Sequence, residues 1–190
     1  MSNYPQPTIA TTLWPTTSNK FYREAILILG GSWFLALLAQ LSFNIGPVPI
    51  TGQTFGVLLI GALYGWRRGG ATMLAYITQG ALGLPIFANA AAGPAALLGP
   101  TGGYIVGFIF AAALVGFLSQ IGWDRRFSTT FLAMLLGNLV IYLFGVSWLA
   151  NAIGFSTALD AGLIPFIPGD ILKALLAAAL LPSIWHYLNK

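Results

Sequence analysis

Asp170 and Lys173 stand three residues apart in an apolar stretch, just after Pro165-Phe166-Ile167-Pro168-Gly169. Proline followed by a helix-compatible run marks a helix start, and a spacing of three places both charges on one helix face. A charge in hydrocarbon costs about 2.5 kcal/mol or more on insertion scales. Such residues therefore face a cavity or one another. Two compatible readings follow. The pair is an internal ion pair that fastens this helix to its neighbours, or it is a set of ligand contacts, one acidic and one basic.

Uncharged polar groups accompany the pair: Thr51, Gln53 and Thr54 in one segment, Asn89 in a second and Thr101 in a third. Tyr76, Phe87 and Tyr104 supply aromatic surface. Together these describe a site with one cation, one anion, an amide and an apolar wall, suited to a small ligand with a carboxylate and a neutral polar head. Other chemistries find little support. The chain has no cysteine and a single histidine, His186, so thiolate sites and histidine zinc sites are not expected. It has no G-x4-G-K-[ST] loop, no H-E-x-x-H pair and no G-x-S-x-G elbow, so neither ATP hydrolysis nor hydrolase activity is expected of it. An intramembrane enzyme would have Asp170 as its only candidate base.

The elements that position these residues follow from composition. Of 190 residues 57% are hydrophobic and 6% charged, against roughly 25% charged in soluble domains. Lipid must be the solvent. The net charge of +4 does not indicate nucleic acid, because the basic residues are scattered between apolar runs. Residues 25–66, 69–123 and 127–159 contain no charge, and each run exceeds the ~20 residues that one helix needs to cross a bilayer. Gly/Pro breaks at 46–49, 84–85, 93–94 and 99–100 divide the runs into hairpins. The expected fold is an all-α integral membrane protein of six transmembrane helices near 24–45, 52–66, 70–84, 101–122, 127–149 and 168–187. Residues 1–19, rich in Ser, Thr and Pro, read as a flexible tail, and 20–190 as a single six-span domain.

Seven of the eight basic residues (Lys20, Arg23, Arg67, Arg68, Arg125, Arg126 and Lys190) then fall on one face, which the positive-inside rule makes cytoplasmic. Both termini share that face. Trp66, Trp123 and Trp185 are expected at the same boundary. Spans two and three are short, and the apolar, Gly/Pro-broken segments 46–51 and 85–100 outside them cannot face lipid with unpaired backbone groups. They must cap a cavity, the pattern that points to a transporter's substrate site. Small residues recur every fourth position: Gly99, Gly103, Gly107 and Ala111; Gly52 and Gly56; Gly61 and Gly65; Ser32 and Ala36. Such stripes let helices approach closely, and the Ser32/Ala36 stripe is a candidate for meeting a partner protein.

Four motifs carry a family resemblance. Gly46-Pro47-Val48-Pro49-Ile50-Thr51-Gly52-Gln53-Thr54, Gly83-Leu84-Pro85-Ile86-Phe87-Ala88, Gly99-Pro100-Thr101-Gly102-Gly103-Tyr104 and Pro165-Phe166-Ile167-Pro168-Gly169-Asp170 with Lys173 resemble the BioY family, the biotin-specific S components of energy-coupling factor (ECF) transporters. The resemblance implies biotin as the transported ligand and no further cofactor. It implies a transmembrane coupling subunit and two ATPase subunits as partners, and a bacterial-type cytoplasmic membrane as the location. The family's polar biotin contacts map onto Asn89, Asp170 and Lys173, with Gln53 and the 99–104 loop, Gly102 and Tyr104 included, as further candidates. A stand-alone biotin carrier is the alternative. Residues 88–98 read Ala-Asn-Ala-Ala-Ala-Gly-Pro at their start, where many relatives are richer in glycine.

The orientation is directly testable. Reporters fused after residues 68, 126 and 190 are expected on the cytoplasmic side, and those near 48, 92 and 160 on the outside. The same side for 92 and 126 would rule out six spans.

Overall fold

The computed structural model describes residues 6–15 and 19–188. These fold into α1 (Ile9–Leu13), α2 (Lys20–Gln40), a hairpin of β1 (Ser42–Phe43) and β2 (Ile50–Thr51), α3 (Gln53–Tyr64), α4 (Trp66–Ala81), α5 (Gly93–Leu98), α6 (Gly102–Gln120), α7 (Phe127–Ile153), α8 (Phe155–Gly162) and α9 (Ile167–Leu188). Lys20–Gln40, Gly102–Gln120, Phe127–Ile153 and the segment Phe155–Leu188 are long and apolar enough to cross a membrane. The two remaining helices of the bundle are shorter: α3 has 12 residues and α4 has 16, or about 18 and 24 Å of helix.

α6 is the centre of the bundle. It packs against α7, α3 and α4, while α9 closes on α7, and α2 lies along α4 and α3. Of α6's most apolar window 67% is buried, against 28% for α2. The small-residue stripes create these close approaches. A side chain at Gly107 would come within 3.2 Å of the Ile141 backbone on α7, and one at Gly52 would meet the Leu38 carbonyl of α2 at 2.9 Å. Gly61 lies against the backbone of Ala112. Apolar burial adds little between helices in lipid, so this van der Waals proximity is what holds the bundle together.

The Ser32/Ala36 stripe packs against α4 within the chain. Ser32 and Ala36 are 1% and 6% exposed. The Ser32 hydroxyl accepts from Gln79 Nε2 of α4 at 2.9 Å and donates to the Leu29 carbonyl at 2.8 Å. A serine in an apolar helix needs such partners, and this face turns inward in the single chain. Arg68 completes the α2–α4 contact with a two-pronged bond to Glu24, at 2.6 and 2.8 Å, the geometry that makes arginine–carboxylate pairs strong.

The expected tail also differs where it is described. Thr8 and Thr11 form a capping box that starts α1, and Ile9, 2% exposed, belongs to the main apolar core. The Gln6 N–H donates to the Gln120 carbonyl at 2.8 Å, which ties this segment to the end of α6. The rest of the expected tail, 1–5 and 16–18, and Lys190 lie outside the described residues. Gly65, at φ +82°, turns the chain from α3 into α4 where any side chain would meet Thr8 and Gln120.

Trp185 packs inside the chain, at the end that carries Arg125. It is 4% exposed. Its Nε1–H donates to Asp124 Oδ2 at 2.6 Å, and the Arg125 guanidinium covers its ring at 4.5 Å. Asp124, in the turn between α6 and α7, is itself 3% exposed. Burial raises its pKa above the usual aspartate value, and the Trp185 hydrogen bond only partly opposes this. The sign follows by linkage: the folded chain holds this proton more tightly than the unfolded chain does. Asp124 therefore contributes a stability gain as pH falls through its folded-state pKa toward the ordinary aspartate range. Asp124→Asn is expected to remove that gain, so that the melting temperature of the detergent-purified variant depends less on pH across the mildly acidic range than that of the parent.

Candidate functional site

At the end of the bundle opposite Arg67, Arg68, Arg125 and Arg126 lies a cavity of about 350 Å³, within the range of small-molecule sites. It forms where the start of α3, the start of α6, the middle of α7 and the first turns of α9 meet beneath two irregular segments. Pro47, Val48, Pro49 and Thr51 line it from the first segment, Phe87, Ala88, Asn89 and Ala91 from the second. Tyr104, Ile105 and Phe108 of α6, Ile141 and Tyr142 of α7, and Lys173 of α9 complete the wall.

Lys173 is the cation of this cavity, and its surroundings are specific. Its ammonium donates to the Thr51 carbonyl at 2.9 Å, to Thr54 Oγ1 at 2.8 Å and to Asp170 Oδ1 at 2.9 Å. Three donors meet three acceptors. Thr54 passes the interaction on, donating to Asp170 Oδ1 at 2.9 Å. Tyr142 OH donates to the other carboxylate oxygen, Asp170 Oδ2. Asp170 lies in the first turn of α9, where the helix dipole favours an anion. It is 3% exposed and does not line the cavity. The side chain of Lys173 keeps 21% of its surface exposed and does line it. The two charges thus have different places: Lys173 at the wall and Asp170 behind it.

The aromatic residues divide in the same way. Phe87 and Tyr104 line the cavity, and Tyr76 does not. Tyr76 is fully buried. It accepts from Gln53 Nε2 at 2.9 Å, donates to the Ile86 carbonyl at 2.8 Å, and meets the Phe87 ring edge-on at 5.3 Å between centroids. It therefore carries Gln53 and Phe87, which do face the cavity. Tyr104 is fixed by donating to the Gly162 carbonyl at 2.8 Å. Gly102 also stands behind the wall: a side chain there would strike the Leu97 carbonyl. Asn89 lies in the left-handed region at φ 58°. Its Oδ1 accepts from Ser42 at 2.8 Å and its Nδ2 donates to Asn44 Oδ1 at 2.9 Å, which ties the two capping segments together.

A chain with these motifs and this cavity can be compared with known proteins. The BioY family profile matches residues 10–190. The chain belongs to the BioY family. A probable biotin transporter BioY of Pyrococcus horikoshii is 46% identical over 136 residues, spanning 72% of this chain and 80% of that protein. The biotin transporter BioY of Rhizobium etli is 39% identical over 154 residues, 77% of this chain and 82% of its own. The crystal structure of the S-component for biotin from an ECF-type ABC transporter superimposes with a TM-score of 0.77 at 28% identity, covering 90% of this chain and 95% of that one. With its long apolar helices, this BioY-family chain is a multi-pass membrane protein.

Within this BioY-family cavity, sequence reasoning overlooked Tyr142. It sits 28 residues before its partner Asp170, and the sequence offers as a signal only a phenol in the middle of an apolar span. Tyr142→Phe leaves one oxygen of a buried carboxylate without a donor, which costs roughly 1–3 kcal/mol. A lower thermal midpoint in detergent is the expected result, with the helical content unchanged by circular dichroism.

Proposed function

We propose that this BioY-family chain is the biotin-binding S component of an ECF-type importer. The observation that carries the reading is the 350 Å³ cavity, apolar except for Lys173, the Asn89 and Gln53 amides and a few hydroxyls, in a chain of this family. Biotin combines a valerate carboxylate with a ureido ring that has two N–H donors and one carbonyl. Lys173 supplies a charged donor, and Asn89 can both donate and accept. Asp170 acts through Lys173 and Tyr142, whose positions it fixes. Phe87 and Tyr104 offer apolar surface to the carbon skeleton.

In this reading the six helices α2, α3, α4, α6, α7 and α9 all span the membrane, with both termini and the arginine-bearing end in the cytoplasm. The cavity opens toward the outside of the cytoplasmic membrane. Import is driven by a transmembrane coupling subunit and two ATPase subunits.

The double variant Asp170→Asn, Lys173→Met tests the site. Removing one charge alone would strand the other, at roughly 3–5 kcal/mol by analogy with soluble proteins; removing both leaves none uncompensated. The double variant is expected to fold and to bind biotin more weakly, by up to about tenfold, because the ligand loses a charge-assisted hydrogen bond whose worth, about 1.5–3 kcal/mol against no partner, is reduced by the acceptors that Lys173 already holds. Calorimetry on the detergent-purified chain measures this, and unchanged affinity would take the pair out of the site. Biotin uptake by cells that hold the chain without coupling and ATPase subunits is expected to be absent; persistent uptake would make it a stand-alone carrier.

A further inference from the structure

The loop that carries Asn89 adopts a backbone that its own sequence does not favour. Asn89 and Ala90 lie consecutively in the left-handed region, at φ 58° and 55°. Asparagine tolerates this region, but alanine suffers a clash between its Cβ and the following carbonyl. The loop is closed by the Phe87 N–H, which donates to the Ala91 carbonyl at 3.1 Å, and by the Ala91 N–H, which donates to the Ala88 carbonyl at 3.2 Å. The second bond closes a four-residue turn of either hand, so neither dictates the left-handed form.

Gln40, the last residue of α2, holds the outer edge of this loop. Its Nε2 donates to the Phe87 carbonyl at 3.1 Å and to the Ala36 carbonyl of its own helix at 3.2 Å, and its Oε1 accepts from the Ala90 N–H at 3.1 Å. Both amide protons and the oxygen are thus engaged, and turning the amide over would set its oxygen against two carbonyls. Gln40 is exposed and does not line the cavity. Its bonds fall on the two residues that flank Ala88 and Asn89, both of which do line it.

We propose that Gln40 is a positioning residue for ligand binding: it holds Asn89 and Ala90 in the left-handed form that presents Asn89 to the cavity. Without it, Ala90 relaxes toward the right-handed or extended region, and only the Ser42 and Asn44 bonds are left to hold Asn89 at the wall. The binding readout rests on the biotin reading above; the exchange readout does not.

The test is a double-mutant cycle between Gln40→Leu and Ala90→Gly. Glycine adopts positive φ freely, so it makes the clamp dispensable. By calorimetry, Gln40→Leu is expected to weaken biotin binding about tenfold. Ala90→Gly alone should bind within about threefold of the parent, and the double variant should recover to the same range. A merely structural role for Gln40 at the end of α2 would not be relieved by a glycine 50 residues away. Amide exchange of Ala90 in the ligand-free chain is expected to quicken at least tenfold in Gln40→Leu. Parent-like biotin affinity in Gln40→Leu, or a double variant as weak as Gln40→Leu, would overturn the proposal. If the parent itself binds no biotin, the functional reading fails and exchange alone decides: unchanged Ala90 exchange overturns the clamp, and quickened exchange sustains it.

Discussion

An ammonium group inside an apolar wall must have its three protons placed, and much of the cavity end of this molecule is arranged to place those of Lys173. One acceptor is the Thr51 carbonyl, which requires β2 to end where it does. Another is the Thr54 hydroxyl, in the first turn of α3. The third is Asp170, one turn earlier on α9. The carboxylate in turn needs donors, and receives them from Thr54 and from Tyr142 of α7. The start of α3, the middle of α7 and the start of α9 are thereby fixed relative to one another by a single buried network. Such networks stabilise only when every member has its partner, which is why the loss of one hydroxyl at its edge matters.

The same demand governs the capping segments. Backbone that is neither helix nor sheet cannot be left unpaired at this depth. The first segment meets it with a two-residue hairpin, Ser42 opposite Thr51 and Phe43 opposite Ile50. The second meets it with side chains: Tyr76 takes the Ile86 carbonyl, and Gln40 takes the Phe87 carbonyl and the Ala90 N–H. Amide and phenol groups in flanking helices thus do for the loop what neighbouring strands do in a sheet. The cavity exists because these groups support its roof from outside.

Features set by local chemistry were legible in the sequence. Charge-free runs and Gly/Pro breaks located the helices, and α9 begins at Ile167, beside the expected Pro168. Asp170 and Lys173 do share a helix face. The Gly103/Gly107 stripe does bring α6 against α7. What escaped depends on pairing across long separations. Trp185 meets Asp124 from 61 residues away. Nothing local distinguishes a tryptophan that bonds a buried carboxylate from one that faces lipid. Ser32 and Ala36 illustrate a related ambiguity: a small-residue stripe fixes how closely something may approach, not whether the approaching helix is α4 or another chain. α1 was read as a tail because its five helical residues are too few to show a periodicity. Tyr142 and Gln40 were missed because their roles are defined wholly by partners 28 and 50 residues distant.

On the proposed biotin reading, the saturation of Lys173 bears on how the site discriminates. Each of its three protons already faces a protein acceptor, so an anion that approaches Nζ exchanges one hydrogen bond for another. The net gain is a difference between two charge-assisted bonds, smaller than the ~1.5–3 kcal/mol that either is worth against no partner. A ligand group that is slightly misplaced gains nothing, because Thr51, Thr54 and Asp170 remain at 2.8–2.9 Å as competitors. An ammonium held free would attract any anion. An ammonium held by its own neighbours yields only to one that arrives in register, with the rest of its skeleton already seated between Phe87 and Tyr104. Recognition then depends on shape and charge together, and the buried carboxylate behind the wall sets the standard that an incoming anion must meet.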